Sequence, residues 1–192
     1  MCFHFKQSKP KEAFKAIGLE GHPVNGVYNG FSHPSINVVT EENPKDLQHF
    51  MWGLIPSWAK DDNIKKYTLN ARHETLKTKP SFKNAKRCLI FADGFYEWKW
   101  LDKQGKKKQK YLIELPNSEL FSFAGLYDQW VDKQTGEIIN SCSIVTTEAK
   151  GIMREIHNSK MRMPLVIEYN QMDDWLENRD TNLFYNFKTF EV

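Results

Sequence analysis

The stretch Arg87-Cys88-Leu89-Ile90-Phe91-Ala92-Asp93-Gly94-Phe95-Tyr96-Glu97-Trp98-Lys99-Trp100 decides the fold class. Arg87 to Ala92 is a short, nearly unbroken apolar run, the length of a strand and too short for an ordinary helix. Asp93-Gly94 interrupts it, and Phe95 to Trp100 resumes as a second, aromatic strand. Tyr111 to Leu115 pairs naturally with that strand across a hairpin loop from Asp102 to Lys108. Alternation places Glu97 on the face opposite Tyr96 and Trp98.

The same reading extends in both directions. Downstream, Leu120 to Tyr127 and Asn140 to Thr147 are strands separated by the turn signal Asp132 to Gly136. Ala149 to Ile156 reads as a helix, Met163 to Ile167 as a final strand, and Gln171 to Leu176 as a late helix. Upstream, Met1 to Phe5 reads as a strand and Lys9 to Ile17 as a short helix stopped by Gly18. Gly21 to Gly30 is turn-rich, and Ser35 to Thr40 and Leu47 to Ile55 are strands. Asp61-Asp62-Asn63 is a turn or cap, Asn70 to Thr75 a helix start or a loop, and Ser81 to Ala85 is ambiguous. About eight strands and three or four short helices, without regular alternation, predict an α+β fold. Its sheet is mainly antiparallel and barrel-like, flanked by short helices, in one domain over residues 1–192.

Composition bounds the function classes. A chain of 192 residues with 40% hydrophobic and 14% aromatic residues can bury one sizeable core, which excludes disorder. The net charge of +3 permits nucleic acid as a partner without demanding it. The cysteines, Cys2, Cys88 and Cys142, are odd in number and lack zinc-site spacing. No signal peptide and no membrane span is legible. The expectation is a monomer with free thiols in the cytoplasm, associated with the nucleoid in a prokaryote, needing neither metal nor cofactor.

Several residues could carry chemistry. Once Met1 is removed, Cys2 presents a thiol beside a free α-amine, both near their deprotonation range at neutral pH. Such a 1,2-aminothiol condenses with an aldehyde to an imine, and the thiol then closes a thiazolidine ring. Glu97, set among aromatics, suits acid/base work if its pKa is raised; the plain alternative is an exposed strand glutamate. His157 titrates near neutral pH, although one histidine among six is commonly structural. Asn70 and Arg72 share a face if their segment is extended, where one could fix a substrate oxygen and the other a phosphate. Arg162 could fork onto a phosphate or make a surface ion pair. Trp52 and Trp58 could stack on unpaired bases or pack in the core. The lysines from Lys103 to Lys110 could track a nucleic-acid backbone, or simply solvate a hairpin tip. His4 beside Cys2 hints at a metal, but no further ligands follow at zinc spacing.

Taken in order, these motifs resemble the SOS response-associated peptidase (SRAP) family over nearly the whole chain. The resemblance runs from Met1-Cys2 through Trp52-Gly53-Leu54-Ile55-Pro56-Ser57-Trp58 to Asn70-Ala71-Arg72-His73-Glu74-Thr75. It continues through Arg87 to Trp98, Phe123-Ala124-Gly125-Leu126-Tyr127 and Ile144-Val145-Thr146-Thr147, and ends on Ile156-His157 and Arg162-Met163-Pro164. The resemblance implies covalent capture of abasic sites in single-stranded DNA by a mature Cys2, after the domain removes Met1 itself. By the same resemblance, Asn70 orients the amine or the sugar, Glu97 moves protons, and His157 helps open the sugar ring. Arg72 and Arg162 would hold phosphates, with Trp52 or Trp58 supporting bases and His4 a weak DNA contact. Two departures stand out: Phe3-His4 replaces the usual Gly-Arg, and Asn158-Ser159-Lys160-Met161 lengthens the link from the histidine to Arg-Met-Pro. Two other readings compete. One is a thiol hydrolase using Cys2, His157 and Asn70; the other is a non-covalent single-stranded DNA-binding module.

Overall fold

The computed structural model describes residues 1–192. In chain order the first strands are β1 (His4–Gln7), β2 (Gly26–Asn29), β3 (Ser35–Thr40), β4 (Gln48–Trp52) and β5 (Asn70–Arg72). Then come β6 (Lys86–Ala92), β7 (Gly94–Trp100), β8 (Lys108–Glu114), β9 (Phe121–Val131) and β10 (Ile138–Glu148). The last are β11 (Arg162–Pro164), β12 (Val166–Ile167) and β13 (Lys188–Glu191). Three short helices accompany them: α1 (Lys11–Ala16), α2 (Met153–Ile156) and α3 (Met172–Leu176).

Five strands close into a barrel. β3 pairs antiparallel with β4 and β6, β6 with β9, and β9 with β10. β10 then returns to β4 through a parallel pair, Ser141 with Met51 and Cys142 with Trp52, which closes the ring. Period-2 alternation explains the apolar runs. On β6, Cys88 and Ile90 face a core of 24 buried residues, while Leu89 and Phe91 face a second core of 17. Both faces are buried, so the strand reads as continuously hydrophobic. The larger core joins the barrel to a second sheet through Phe5, Phe95 and Ile113. The smaller core is covered by Phe14 of α1 and by Trp175 and Leu176 of α3.

The second sheet runs β13-β8-β7-β1-β2 and is antiparallel throughout. Asp93-Gly94 is the crossing from the barrel into this sheet, since β6 and β7 belong to different sheets. Buried Asp93 locks the crossing by accepting from the Ser8 amide, the Ser8 hydroxyl and Lys6 Nζ. β1 is therefore an interior strand, with His4 opposite Tyr96 on one side and Asn29 on the other.

The α+β, mainly antiparallel, barrel-like expectation holds, with differences in detail. Asn70–Arg72 is neither helix start nor loop but a strand parallel to β10, followed by a 3-10 turn over His73–Thr75. β1 begins at His4, leaving Met1 and Cys2 outside the ladder. β2 was hidden in its turn-rich surroundings. β13 was hidden because three of its four residues are polar and it lies exposed at a sheet edge.

Gly125 sits where β9 passes β6, and a Cβ there would meet Cys88 Sγ at 2.7 Å and Ile90 Cδ1 at 2.9 Å. Gly125→Ala is expected to lower unfolding stability by about 1–3 kcal/mol through overpacking, and Gly125→Val by more. Urea denaturation checks this; an unchanged midpoint for the alanine variant would refute the close packing.

Candidate active site around Cys2

β1 and β7 together build the site. Their pairing sets the chain start beside the inner face of β7, where Phe95 and Glu97 point into the core and Tyr96 and Trp98 point outward. Glu97 is 4% exposed, so the exposed-strand alternative does not hold. Cys2 is fully buried, and its thiol donates to the His4 carbonyl at 3.7 Å. Asn70 Nδ2 donates to the Cys2 carbonyl at 2.9 Å. The Met1 amine lies between Glu97 and His157, 3.8 Å from Glu97 Oε1, 3.1 Å from His157 Nδ1 and 3.3 Å from His157 Nε2.

His157 has a defined tautomer. Its Nδ1 lies 2.5 Å from the Arg162 carbonyl, which can only accept, so Nδ1 carries the proton. Nε2 is then the ring's free acceptor, 3.3 Å from the Met1 amine and 3.8 Å from Glu97 Oε2, and the amine sits against the ring edge near both nitrogens. The link from His157 to Arg162 makes this possible. The Met161 amide returns to the His157 carbonyl, and Met161 adopts a positive φ of 52° that brings Arg162 back under the ring. Asn158 ties the same link to the end of β7, accepting from the Trp100 amide and donating to the Trp100 carbonyl.

Burial governs the electrostatics. It raises the Glu97 carboxyl from 4.5 to about 7, against the opposing pull of the Met1 ammonium. It lowers His157 from 6.5 to about 4, helped by the nearby Met1 charge. It also lowers the Met1 amine and, with the Glu97 charge, raises the Cys2 thiol. Asn70 Oδ1 and Glu97 Oε1 are buried acceptors without a hydrogen-bond partner. A cavity of about 360 Å3 opens over this floor, walled by Phe3, Phe31, Trp98 and Trp100, with Lys108 and Lys160 among its lining.

Cys2, Asn70, Glu97 and His157 are thus brought together. His4 lies against Trp98, 5.0 Å between ring centroids, and burial and Lys110 hold its imidazole below its ordinary value. Arg72 is exposed and unpaired, on the same strand face as Asn70, while Ala71 points into the smaller core. The thiol-hydrolase arrangement is not formed. The Cys2 thiol turns to a backbone carbonyl, Asn70 holds the Cys2 carbonyl, and His157 faces the amine.

Other expected contacts need correction. Trp52 has no face for a base: it is fully buried, its indole donates to the Leu69 carbonyl, and Gly30 packs on its ring. Trp58, by contrast, keeps an exposed ring, with its indole directed to the Pro80 carbonyl, and is not among the residues lining the cavity. Arg162 is not free for phosphate. It forks onto both Glu74 oxygens at 2.8 and 3.0 Å and donates to the Thr146 carbonyl, holding the Glu74 carboxyl below its ordinary value. Sequence reading missed Phe31 and the Asn158 clamp. An aromatic in a turn was the one available signal for the first, and nothing local marks the second.

Comparison with known proteins identifies the family. The profile of the SOS response associated peptidase (SRAP) family matches residues 1–188. The chain belongs to the SRAP family. Among its SRAP relatives, the protein named abasic site processing protein YoqW in Bacillus subtilis (strain 168) is 40% identical over 168 residues. That match covers 81% of this chain and 72% of the relative. The protein named abasic site processing protein HMCES in Gallus gallus is 31% identical over 163 residues, covering 71% of this chain and 47% of the relative. A crystal structure of a Bacteroides thetaiotaomicron protein superposes with a TM-score of 0.88 at 30% identity, over 100% of this SRAP chain and 92% of the other.

The two shifted groups should oppose each other in stability. The folded-state pKa of Glu97 is raised, so its contribution is full below pH 4.5 and lost as pH rises through about 7. The folded-state pKa of His157 is lowered, so its contribution is present above pH 6.5 and lost as pH falls through about 4. Each amounts to about 3 kcal/mol, and they nearly cancel between. Glu97→Gln should therefore make stability climb with pH across that window, and His157→Gln should make it fall. Melting temperatures from pH 4 to 8 test this, and flat profiles in both variants would contradict the burial argument.

Proposed function

We propose that this SRAP chain processes abasic sites in single-stranded DNA by covalent capture through Cys2, acting as a monomer in the cytoplasm or nucleoid. The observation that carries the reading is the α-amine held between Glu97 and His157, one residue from a buried thiol. The names of the relatives supply the substrate class.

The chemistry follows from the positions. Met1 first leaves by hydrolysis of its peptide bond to Cys2, freeing the Cys2 amine for the pocket that the Met1 amine occupies here. The unpartnered Asn70 Oδ1 then accepts from that amine. The amine adds to the aldehyde carbon of the ring-opened abasic sugar. Glu97, half-protonated near pH 7, gives a proton to the departing hydroxyl, and water and an imine result. Cys2 Sγ adds to the imine carbon and its proton passes through Glu97 to the nitrogen. The balance is one aldehyde and one aminothiol giving one thiazolidine and one water. Neutral His157 accepts the sugar hydroxyl proton at Nε2 during ring opening. The same imine, if not trapped by sulfur, allows strand cleavage by β-elimination, a slow lyase side activity. Exposed Arg72 supplies a cation for a flanking phosphate.

Mixing the protein with an oligonucleotide carrying one abasic site should give a band that survives heat on a denaturing gel, with Met-free protein by mass spectrometry. Cys2→Ala should give none and Cys2→Ser at most a labile imine. Glu97→Gln should slow formation about 100-fold at pH 7. A heat-stable adduct from Cys2→Ala would sink the mechanism. Separately, Arg72→Ala should weaken DNA binding and make the log affinity against log salt slope shallower by about one unit. A salt slope equal to the wild type would remove Arg72 from the interface.

A further inference from the structure

Phe3 and Phe31 form an aromatic pair at the mouth of the site, with ring centroids 4.8 Å apart and planes inclined by 31°. Phe31 is 61% exposed, which leaves one large apolar ring open to solvent beside the reactive centre. Its placement is built into the fold. The Gly30 amide donates to the Phe3 carbonyl at 2.8 Å, and Asn29 Oδ1 accepts from the Phe31 amide. A single 3-10 turn, Gly30–Ser32, thus projects Phe31 over Phe3. Trp98 and Trp100 form the rest of the aromatic lining, with Lys108 Nζ 5.5 Å over the Trp100 ring. The lining carries Lys108 and Lys160 but no carboxylate other than buried Glu97.

We infer that the Phe3–Phe31 pair is a stacking platform for the nucleobase next to the abasic sugar, and that it makes capture depend on the identity of that base. The inference rests on the abasic-site reading above. A sugar seated at Glu97 and His157 is one phosphodiester from its neighbour, so the neighbouring base falls within the same aromatic-walled cavity. The lysines match the phosphates that such a strand brings, and every base offers a π-face to an exposed ring. The larger face of a purine gains more than that of a pyrimidine. Phe3 and Phe31 are held together by backbone contacts of their own, so the platform is preformed rather than assembled by the ligand.

The test uses single-stranded oligonucleotides with a central site, either a true abasic sugar or its unreactive tetrahydrofuran analogue. The flanking position holds adenine, thymine or a spacer without a base. For the wild type, adenine should tighten binding to the unreactive analogue about ten-fold over the spacer, with thymine between. Phe31→Ala should bring the three to within about two-fold, Phe31→Trp should keep the order, and Phe31→Leu should behave like alanine. Melting temperatures confirm folding, since Phe31 is exposed. Wild-type binding that ignores the flanking base, or Phe31→Ala that keeps the preference, overturns the platform. Full preference in Phe31→Leu also overturns stacking, leaving plain apolar contact. The true abasic oligonucleotide separates the two claims: no adduct from wild type defeats covalent capture, whereas an adduct without base preference defeats the platform alone.

Discussion

Everything at the site depends on the antiparallel pairing of β1 with β7. Three cross-strand positions, His4 with Tyr96, Phe5 with Phe95 and Lys6 with Gly94, fix where the first residues lie. Phe5 and Phe95 meet in the larger core, so apolar burial holds the register. A slip by one residue would turn Phe5 to solvent and carry Cys2 away from Asn70. Glu97 shares its strand face with Phe95, so the same register that buries the phenylalanine buries the carboxylate. Its raised pKa is therefore a consequence of packing, and the half-protonated state near pH 7 needs no special partner.

Burial acts on the two titrating groups in opposite senses. It keeps the carboxyl protonated and the imidazole neutral over much of the same range. The result is a floor with few net charges under a cavity whose rim is cationic. Such an arrangement favours anionic groups at the edge and an uncharged group at the floor. The Asn158 clamp couples the two levels, since it joins the histidine link to the β7 end from which the lysine-bearing hairpin departs.

Much of this was legible in the sequence because the strands obey simple alternation. Arg87 to Trp100 announced two strands, and Glu97 announced its inward face by standing between Tyr96 and Trp98. Asn70 and Arg72 could be placed on one face once extension was allowed, although the strand itself was not foreseen. The parallel pairings of β10 with β4 and β5 were out of reach, because they join segments about 70 to 90 residues apart with no local signature. Aromatic roles were the least legible. Trp52 and Phe31 are both large and apolar, yet one is fully buried and the other mostly exposed, and what separates them is tertiary packing: Phe5 and Gly30 lie against the Trp52 ring and Leu69 accepts from its indole. Arg162 misled for a related reason: its carboxylate partner, Glu74, comes from a segment 88 residues away.

The long reach of these contacts also orders events in time. The Met1 amine meets a histidine 156 residues further along the chain. At ordinary rates of synthesis, Cys2 leaves the ribosome on the order of 10 s before His157 is made. During that interval the thiol has no β7 to bury it and no imidazole to face. Assembly of the site thus waits for the end of synthesis: a truncated or misfolded polypeptide carries the cysteine but not the carboxylate, amide and imidazole that surround it in the finished fold.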